Sequence, residues 1–419
     1  MLLAGFVVSL SFFPIFSGAE PRHLPILRSG RHLRLEDHLA AAERTRARYG
    51  YSSTDLLSRD TQRRGITQSI NITNEMSDTY YYTEVSVGTP AQSFKVMVDT
   101  STESDLWVGG TACVGCPTNV ALYDHSKSST AVNGTTVVTT LYGGNSVQGD
   151  VFTDIIRMGG YTVSQQTFGA CSGLQHKLLT SPVSGIFGLA LAGLSKAGTP
   201  FWQAIIASDQ AGTSEMGFWL SCFLGTSNPT SEEPGGAFTF GGVNASLYSG
   251  DVDYLDLTGT ASQFWSLDVH AISVQGHAIS VTSSTKLAVF DTATTIIAGP
   301  PADVKAIWAA VPGSTPSTSQ DGFYQFPCGT NVNVTVSFGG RTWAINPVDM
   351  NLAKLSDNVC LGGIFALTVA ASSPSWIFGA AFLKNVYTVL RQTPPSVGFA
   401  ELSLLAGGTG KCWRSSRVC

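Results

Sequence analysis

The feature that most constrains this chain is a short motif that occurs twice. In each copy an apolar run ends in an aspartate that is followed by a threonine. The first copy is residues 94–101 (FKVMVDTS), which contain Asp99, and the second is residues 287–293 (LAVFDTA), which contain Asp291. A short apolar run that stops at a polar pair is typical of a buried strand that leads into a loop. Both aspartates are therefore expected on loops at strand ends.

Each copy has an echo later in the chain, an apolar pair followed by glycine. The echoes are residues 185–188 (GIFG) and residues 376–379 (WIFG). The last glycine follows the aspartate by 89 residues in the first copy and by 88 in the second. Self-similarity at matched offsets indicates two copies of one structural unit. The alternative is that the two aspartates are unrelated turn residues.

Two carboxylates brought together by two such units have a definite chemistry. At contact distance they cannot both ionise, so one holds a proton and the other does not. The pair then offers a general base for a water molecule and a general acid for a leaving amine. On this argument Asp99 and Asp291 are the candidate catalytic residues of a peptide-bond hydrolase.

The composition indicates two lobes built mostly of strands. A chain of 419 residues is too long for one hydrophobic core. Charged residues make up only 13%, and short apolar runs alternate with Gly, Ser and Thr. The formal net charge of −5 does not suggest a nucleic-acid partner.

The N-terminal part of the chain reads as a leader in two pieces. Residues 1–19 are mostly apolar and end in small residues, which predicts a signal peptide; a membrane span is the alternative, but Pro14 breaks the run. Residues 20–65 hold ten Arg against six acidic residues, a net charge of +4, whereas the remainder carries −9. A basic leader on an acidic body predicts a propeptide at residues 20–64 whose attraction to the body fades in acid.

Arg63 and Arg64 form a dibasic step at the end of this candidate propeptide, as a processing protease would need. The alternatives are an ordinary basic tail and a chance pair of arginines in an Arg-rich stretch.

The motifs resemble those of the pepsin family of aspartic endopeptidases, of the secreted fungal type. The resemblance runs from about Tyr80 to Glu401 and includes residues 105–108 (DLWV) and residues 382–387 (FLKNVY). It implies an all-β, bilobal pepsin-like fold of two related β-barrel-like lobes with a few short helices. The expected domains are an N-terminal lobe at residues 65–245, a C-terminal lobe at residues 246–405 and a Gly-rich, basic tail at residues 406–419.

The resemblance also assigns residues that bind substrate. Residues 140–146 (TLYGGNS) suggest a hairpin tip, and in the family a tyrosine on such a flap closes over the substrate. Tyr142 and Gly143 take that place here, with Trp107 as the hydrogen-bonding partner of Tyr142. The alternative is an ordinary hairpin tyrosine.

Threonines beside each aspartate are expected to support the catalytic loops. By position, Thr100 and Thr292 would interlock the two loops. Thr102 and Thr294 would hydrogen-bond the outer carboxylate oxygens and orient them.

The chain departs from the family beside the catalytic pair. The family has glycine after Asp-Thr, because a Cβ there crowds the approach of the backbone. Ser101 and Ala293 stand at these positions, and residues 102–104 carry a one-residue insertion. Two further aspartates common in the family are replaced by Ala380 and Arg391. We expect Arg391 to face solvent.

Eight cysteines behind a signal peptide predict an oxidising compartment. By resemblance Cys328 pairs with Cys360, and Cys113 pairs with Cys116 in a small loop of the first lobe. The sequence leaves the other four open. They could be free thiols or could pair, as Cys171 with Cys222 and Cys412 with Cys419.

No metal or organic cofactor is implied, since a zinc site needs four ligands and the chain has one Cys-x-x-Cys. Four sequons predict surface glycosylation, at Asn71, Asn133, Asn244 and Asn333. Three helical segments are predicted outside the strand pattern, at residues 199–210 and 301–311 and as a short turn within residues 346–355.

The sequence therefore predicts a secreted aspartic endopeptidase, with the vacuole as an alternative destination. Its partners would be extended polypeptide substrates and its own propeptide, and we expect a monomer without a membrane anchor. One rival is a pseudoprotease of the same fold, with a geometry spoiled by Ser101, Ala293 and the insertion, that binds peptides without cutting them. A second rival is an unrelated secreted β-rich binding protein.

Overall fold

The computed structural model of this chain describes most of the region after the leader. The described residues are Ala42, Thr45 and residues 66–75, 78–101, 105–142, 145–174, 178–222, 232–258, 263–369 and 374–408. The predicted signal peptide, most of the propeptide, and Arg63, Arg64, Thr102, Gly143 and the end of the tail lie outside them. Of residues 140–142 and 145–146 the backbone alone is described.

The first half of the described chain is folded into eleven strands. They are β1 (Gln68–Glu75), β2 (Tyr80–Val87), β3 (Gln92–Asp99), β4 (Leu106–Val114), β5 (Val132–Tyr142), β6 (Asn145–Met158), β7 (Tyr161–Leu174), β8 (Gly185–Gly188), β9 (Glu215–Leu220), β10 (Glu232–Phe240) and β11 (Tyr248–Asp256).

The second half adds fifteen shorter strands. They are β12 (Ser266–Asp268), β13 (Ala271–Val274), β14 (His277–Ile279), β15 (Leu287–Phe290), β16 (Ile297–Gly299), β17 (Thr315–Pro316), β18 (Tyr324–Pro327), β19 (Val334–Ser337), β20 (Thr342–Ile345), β21 (Asn351–Ser356), β22 (Val359–Gly362), β23 (Ile364–Ala366), β24 (Trp376–Phe378), β25 (Tyr387–Arg391) and β26 (Ser396–Leu402).

One thirteen-stranded sheet joins the two halves, in the order β11-β26-β25-β9-β10-β1-β2-β3-β8-β4-β7-β6-β5. The junction between the predicted lobes, residues 65–245 and 246–405, is the antiparallel pair β9 and β25, in which Gly217 lies opposite Val389, and β11 lies with the second lobe beside β26. The remaining strands form a five-stranded sheet and two four-stranded sheets within the second half. Backbone pairing therefore continues across the boundary between the halves.

The strands that carry the two aspartates have the same topology in each half. In the first half β3 runs parallel to β8, β8 is antiparallel to β4, and β4 is parallel to β7. In the second half β15, β24, β16 and β23 repeat those relations in that order. Val98 lies opposite Phe187, as Phe290 lies opposite Phe378. The prediction of two copies of one unit, and with it the bilobal all-β pepsin-like fold, is confirmed.

Helices are few and short. The helix predicted at residues 199–210 is Phe201–Ala207, since Asp209 has a φ of 58° that ends it. It buries Phe201, Trp202 and Ile205 against the core. Apart from the helical Ala42 and Thr45, the other helices among the described residues are Pro301–Ala309, Ala380–Leu383 and the 3-10 turns His125–Lys127, Ala192–Leu194 and Pro347–Met350.

The core of the molecule is aromatic and extends through both halves. Fully buried rings include Trp202 of the first half and Trp265 of the second, whose centroids are 6.0 Å apart. Burial of such side chains is the main driving force for folding. In the part of the chain that the structure describes, no helix is both long enough and apolar enough to span a membrane.

Candidate active site

The two candidate catalytic aspartates occupy equivalent places in the two halves. Asp99 is the last residue of β3 and Asp291 directly follows β15, and both are fully buried. The strands that deliver them are apolar on both faces, with Val98 and Phe290 at most 1% exposed. The fold therefore fixes where each carboxylate emerges from its sheet.

Reciprocal threonine contacts tie the two loops together. Thr100 donates its hydroxyl to the carbonyl oxygen of Phe290 at 2.7 Å, and Thr292 donates its hydroxyl to that of Val98 at 2.8 Å. The backbone N–H of Thr292 also donates to Thr100 Oγ1 at 3.1 Å. The interlock expected of these threonines is present in the structure, and it holds the Asp99 and Asp291 loops in register.

Each carboxylate accepts hydrogen bonds from its own loop. The N–H of Ser101 donates to Asp99 Oδ1 at 2.9 Å, and the N–H of Ala293 donates to Asp291 Oδ1 at 2.8 Å. Thr294 donates its hydroxyl to Asp291 Oδ2 at 2.5 Å, as its position predicted. Hydrogen bonds of this kind hold a carboxylate in a fixed orientation.

The two residues that replace glycine are accommodated. Ser101 is fully buried and Ala293 is 6% exposed. Ala293 belongs to an apolar cluster that otherwise consists of first-half residues, including Met97 and Trp107. The Cβ of Ala293 therefore fills space between the halves while its N–H keeps its bond to Asp291.

A part of the leader contacts the catalytic loop. Ala42 and Thr45 are helical and each is 1% exposed. Thr45 Oγ1 lies 3.5 Å from Thr294 Oγ1, the hydroxyl that bonds Asp291. Thr45, a residue of the predicted propeptide, therefore lies against the loop that carries Asp291.

The structure shows a role for Asp105 that the sequence analysis did not identify. Its carboxylate accepts hydrogen bonds from the hydroxyl of Ser195 and from the N–H groups of Lys196 and Ala197. Burial raises the pKa of Asp105, and these three contacts partly offset that effect. Asp105 anchors the loop at residues 195–197 beside the strand that carries Trp107. The sequence signal for this role was the position of Asp105 at the start of the DLWV motif.

The flap region agrees with the hairpin prediction at the level of the backbone. Tyr142 at the end of β5 pairs with Asn145 at the start of β6. Trp107 is 3% exposed, and its Nε1 is buried without a hydrogen-bond partner among the described residues. A Cβ at Gly169 would lie 2.3 Å from the Trp107 ring, so glycine is needed there to admit the indole. The bond from Trp107 to Tyr142 stays a prediction.

Both disulfides expected from the resemblance are present, Cys113–Cys116 and Cys328–Cys360. Cys171 is a buried free thiol whose Sγ lies 3.7 Å from that of Cys113. Burial raises the pKa of Cys171 to about 11. Cys222 is disulfide-bonded, so the Cys171–Cys222 alternative is excluded.

Of the four sequons, Asn244 does not fit the glycosylation prediction. It is 5% exposed, and its side chain donates to Ser69 Oγ and accepts from the N–H and hydroxyl of Ser246. A glycan could be attached to Asn244 only if its side-chain amide, which is buried in the structure, were exposed to solvent. Asn133 and Asn333 are exposed and Asn71 is partly exposed.

Two charged residues are placed differently from what the sequence suggested. Arg391 was expected to face solvent, but its guanidinium lies 3.8 Å from the ring centroid of Tyr254 and donates to Ser396 Oγ. Lys384, which the analysis did not single out, is buried and pairs with Asp78 at 2.6 Å and Asp349 at 2.5 Å. This ion-pair cluster joins the start of the first half to the end of the second.

Comparison with known proteins agrees with the fold and the paired loops. The family model described as eukaryotic aspartyl protease matches residues 80–402. Major aspartyl peptidase 1 of Cryptococcus neoformans is 37% identical over 350 residues, covering 80% of this chain and 71% of that protein. The aspartic protease of Phaffia rhodozyma is 30% identical over 370 residues, covering 86% and 85%. Cathepsin D of Clupea harengus is 30% identical over 336 residues, covering 77% and 81%.

Two matched half-folds that present buried aspartates on interlocked loops define an aspartic peptidase. The chain belongs to the eukaryotic aspartyl protease family. It is an aspartic endopeptidase that acts on polypeptides, and the predictions of family, fold and enzyme class are confirmed.

Proposed function

We propose that Asp99 and Asp291 are the catalytic pair and share one proton in the active enzyme. The observation that carries this proposal is the reciprocal bonding of Thr100 and Thr292, which ties two buried aspartate loops from the two halves to each other. Neighbouring carboxylates titrate as a pair, with one held protonated over a range of acidic pH. Activity is therefore expected in acid.

In the proposed mechanism the ionised aspartate takes a proton from a water molecule held between the pair. That water attacks the scissile carbonyl carbon, while the protonated aspartate donates to the carbonyl oxygen. The resulting tetrahedral intermediate is not covalently attached to the enzyme. It collapses when the aspartate that took the water proton donates it to the amine nitrogen and the other aspartate takes a proton back from a hydroxyl of the intermediate, and the carbon–nitrogen bond breaks. The N–H groups of Ser101 and Ala293 and the hydroxyl of Thr294 keep the carboxylates oriented through these steps.

Substrate would bind as an extended segment beneath a flap. Tyr142 and Gly143 are the proposed flap residues, and Trp107 Nε1, which is buried and has no hydrogen-bond partner within the described part of the chain, is the proposed donor to the Tyr142 hydroxyl. Closure of such a hairpin excludes water and holds the peptide along its backbone.

We propose that residues 20–64 form an inhibitory propeptide. The contact between Thr45 and Thr294 supports this, since Thr294 orients Asp291. The net +4 of the leader against −9 for the remainder supplies an attraction that weakens as carboxylates protonate. Cleavage at Arg63-Arg64 would then release the enzyme.

The remaining features complete a secreted preproenzyme. Residues 1–19 would direct the chain to the secretory pathway, with the vacuole as an alternative destination. The mature enzyme would be a monomer with lobes at residues 65–245 and 246–405 and a tail at 406–419, and Asn71, Asn133 and Asn333 would be its glycosylation sites.

The pseudoprotease alternative required the insertion at residues 102–104, which lies outside the described residues, together with Ser101 and Ala293, to spoil the two loops. Both residues instead donate their N–H groups to the aspartates, which favours the enzyme.

Single substitutions at the two aspartates test the proposal. Asp99→Asn and Asp291→Asn should each lower kcat for an unfolded protein substrate by a factor of about 10³ or more, because the shared proton is lost. Asp268→Asn is the matched control, since Asp268 ends β12 in the sheet that carries Asp291, and it should leave kcat nearly unchanged. Wild-type kcat in either catalytic variant would refute the assignment.

A further inference from the structure

A groove lies at the junction of the two halves and holds the ion-pair cluster of Lys384 and Asp349 in its wall. It encloses about 620 Å³, within the range of pockets that bind small ligands or short segments of chain. Trp219 and Trp343 line it, and β20 forms one side. Among the described strands β20 pairs with β19 alone, so it is an edge strand of the sheet that they form.

The described chain ends inside this groove. Gly408 lines it, and the preceding residues are fixed there by hydrogen bonds. Trp219 donates its Nε1–H to the carbonyl oxygen of Ala406 at 3.1 Å, and the N–H of Gly408 donates to the carbonyl oxygen of Ser403 at 2.8 Å. The segment that follows, residues 409–419, therefore starts from a defined point in the groove.

The disulfide bond of Cys222 indicates that the segment after Gly408 continues along the groove. Cys222 lines the same groove and is disulfide-bonded. The other described cysteines are accounted for, as two disulfides and one free thiol. The chain has eight cysteines, and the two that remain are Cys412 and Cys419.

The charge of residues 409–419 and the distance that they can span both agree with a disulfide bond between Cys222 and this segment. Residues 409–419 carry Lys411, Arg414 and Arg417 and no acidic residue. Of the two acidic residues in the groove wall, Asp349 is already paired with Lys384, whereas Glu401, which pairs with Arg341, has a side chain that is 65% exposed and open to further cations. An extended chain spans roughly 3.3–3.6 Å per residue, so either cysteine of the segment can travel well over 10 Å from Gly408.

We propose that residues 409–419 lie along this groove and are held there by a disulfide between Cys222 and one cysteine of the segment. The bond closes a loop of roughly 190 residues, the kind of long loop for which a cross-link removes most entropy from the unfolded chain. It ties the end of β9, the strand that joins the halves, to the C-terminal segment, and it covers the edge of β20. The proposal does not depend on the catalytic assignment.

Peptide mapping of the full-length chain, alkylated in denaturant without reduction, tests the bond. The expected product is a peptide containing Cys222 linked to one containing Cys412 or Cys419, with two alkylated thiols in total, one of them Cys171. An alkylated Cys222, a Cys412–Cys419 pair, or a Cys222 link to a second chain would overturn the proposal.

Hydrogen exchange tests the position of the segment. Truncation after Gly408 should speed exchange of the amides in β20, while β14, the opposite edge strand of the same sheet, stays unchanged. Cys222→Ser should show the same pattern and a lower Tm, whereas Cys171→Ala, which removes a thiol but no disulfide, should not change β20. Equal exchange of β20 in the truncated and full-length chains would show that the segment lies elsewhere.

Discussion

The hydroxyl of Thr100 accepts a hydrogen bond from the N–H of Thr292, which lies 192 residues later in the chain. The same hydroxyl donates to the carbonyl oxygen of Phe290. One side chain thus satisfies a buried donor and a buried acceptor of the opposite loop. Because unpaired buried polar groups are costly, this contact constrains how the two halves can sit around Asp99 and Asp291.

Thr100→Val should weaken both stability and catalysis. It leaves the Phe290 carbonyl and the Thr292 N–H without their partner, at a cost of about 2–4 kcal/mol in the free energy of unfolding. The value of kcat/KM should fall by more than tenfold, because the two carboxylates lose their alignment. Thr100→Ser keeps the hydroxyl and is the control. Urea unfolding and peptide hydrolysis measure the two effects, and equal behaviour of the Ser and Val variants would contradict the account.

Ala293→Gly tests whether a Cβ beside Asp291 impairs the site. The structure places this Cβ in an apolar cluster with Met97 and Trp107, and the N–H of Ala293 already donates to Asp291. We therefore expect kcat/KM to change by less than about tenfold, with a loss of stability of about 1 kcal/mol from the added chain entropy. Ala293→Val, which adds bulk at the same point, should lose most activity. An inactive wild type that gains activity as Ala293→Gly would support the pseudoprotease instead.

Asp154 should contribute stability that depends on pH. Burial alone would raise the pKa of Asp154, but hydrogen bonds from Thr130, Ser128, Tyr123 and the N–H of Ile155 overcome burial and hold the pKa below its ordinary value. A carboxylate with a lowered pKa in the folded state stabilises the fold above the pKa of the unfolded chain, near 3.9. That contribution is lost as the pH falls through the lower, folded-state pKa.

Asp154→Asn should therefore lower the free energy of unfolding by about 1–3 kcal/mol at pH 6, and the difference from wild type should shrink below pH 4. Urea unfolding at pH 6, 4 and 3 provides the measurement. Asp357→Asn, at a fully exposed side chain, should change little at any pH. A destabilisation by Asp154→Asn that is the same at all three values would show that ionisation of Asp154 is not the cause.

The repeated parts of the fold could be predicted from the sequence. The two Asp-Thr motifs with their glycine echoes predicted two copies of one unit, which the structure shows as the matched β3-β8 and β15-β24 pairs. The positions of the threonines beside each aspartate predicted the interlock, and the resemblance predicted both described disulfides. The repeated unit and the interlock depend on a local pattern that occurs twice in the chain, whereas the two cysteine pairs do not repeat each other.

Contacts between distant, unrepeated residues could not be predicted in this way. Lys384 and Asp78 are 306 positions apart, and no periodicity links them. The burial of Asn244 and the packing of Arg391 on Tyr254 likewise depend on which strands become neighbours in the thirteen-stranded sheet. Local sequence identifies the element, whereas the partner of each side chain is set by the tertiary fold.

Hydrolysis of an acid-denatured protein between pH 2.5 and 6, by the chain freed of residues 1–64 and with and without pepstatin, tests the central claim most directly. Two carboxylates that share a proton predict cleavage in acid that pepstatin abolishes and that declines towards pH 6 as the second carboxyl ionises. Absence of cleavage across this range by correctly folded protein, or cleavage that pepstatin leaves unchanged, would contradict the assignment of Asp99 and Asp291 as the catalytic pair.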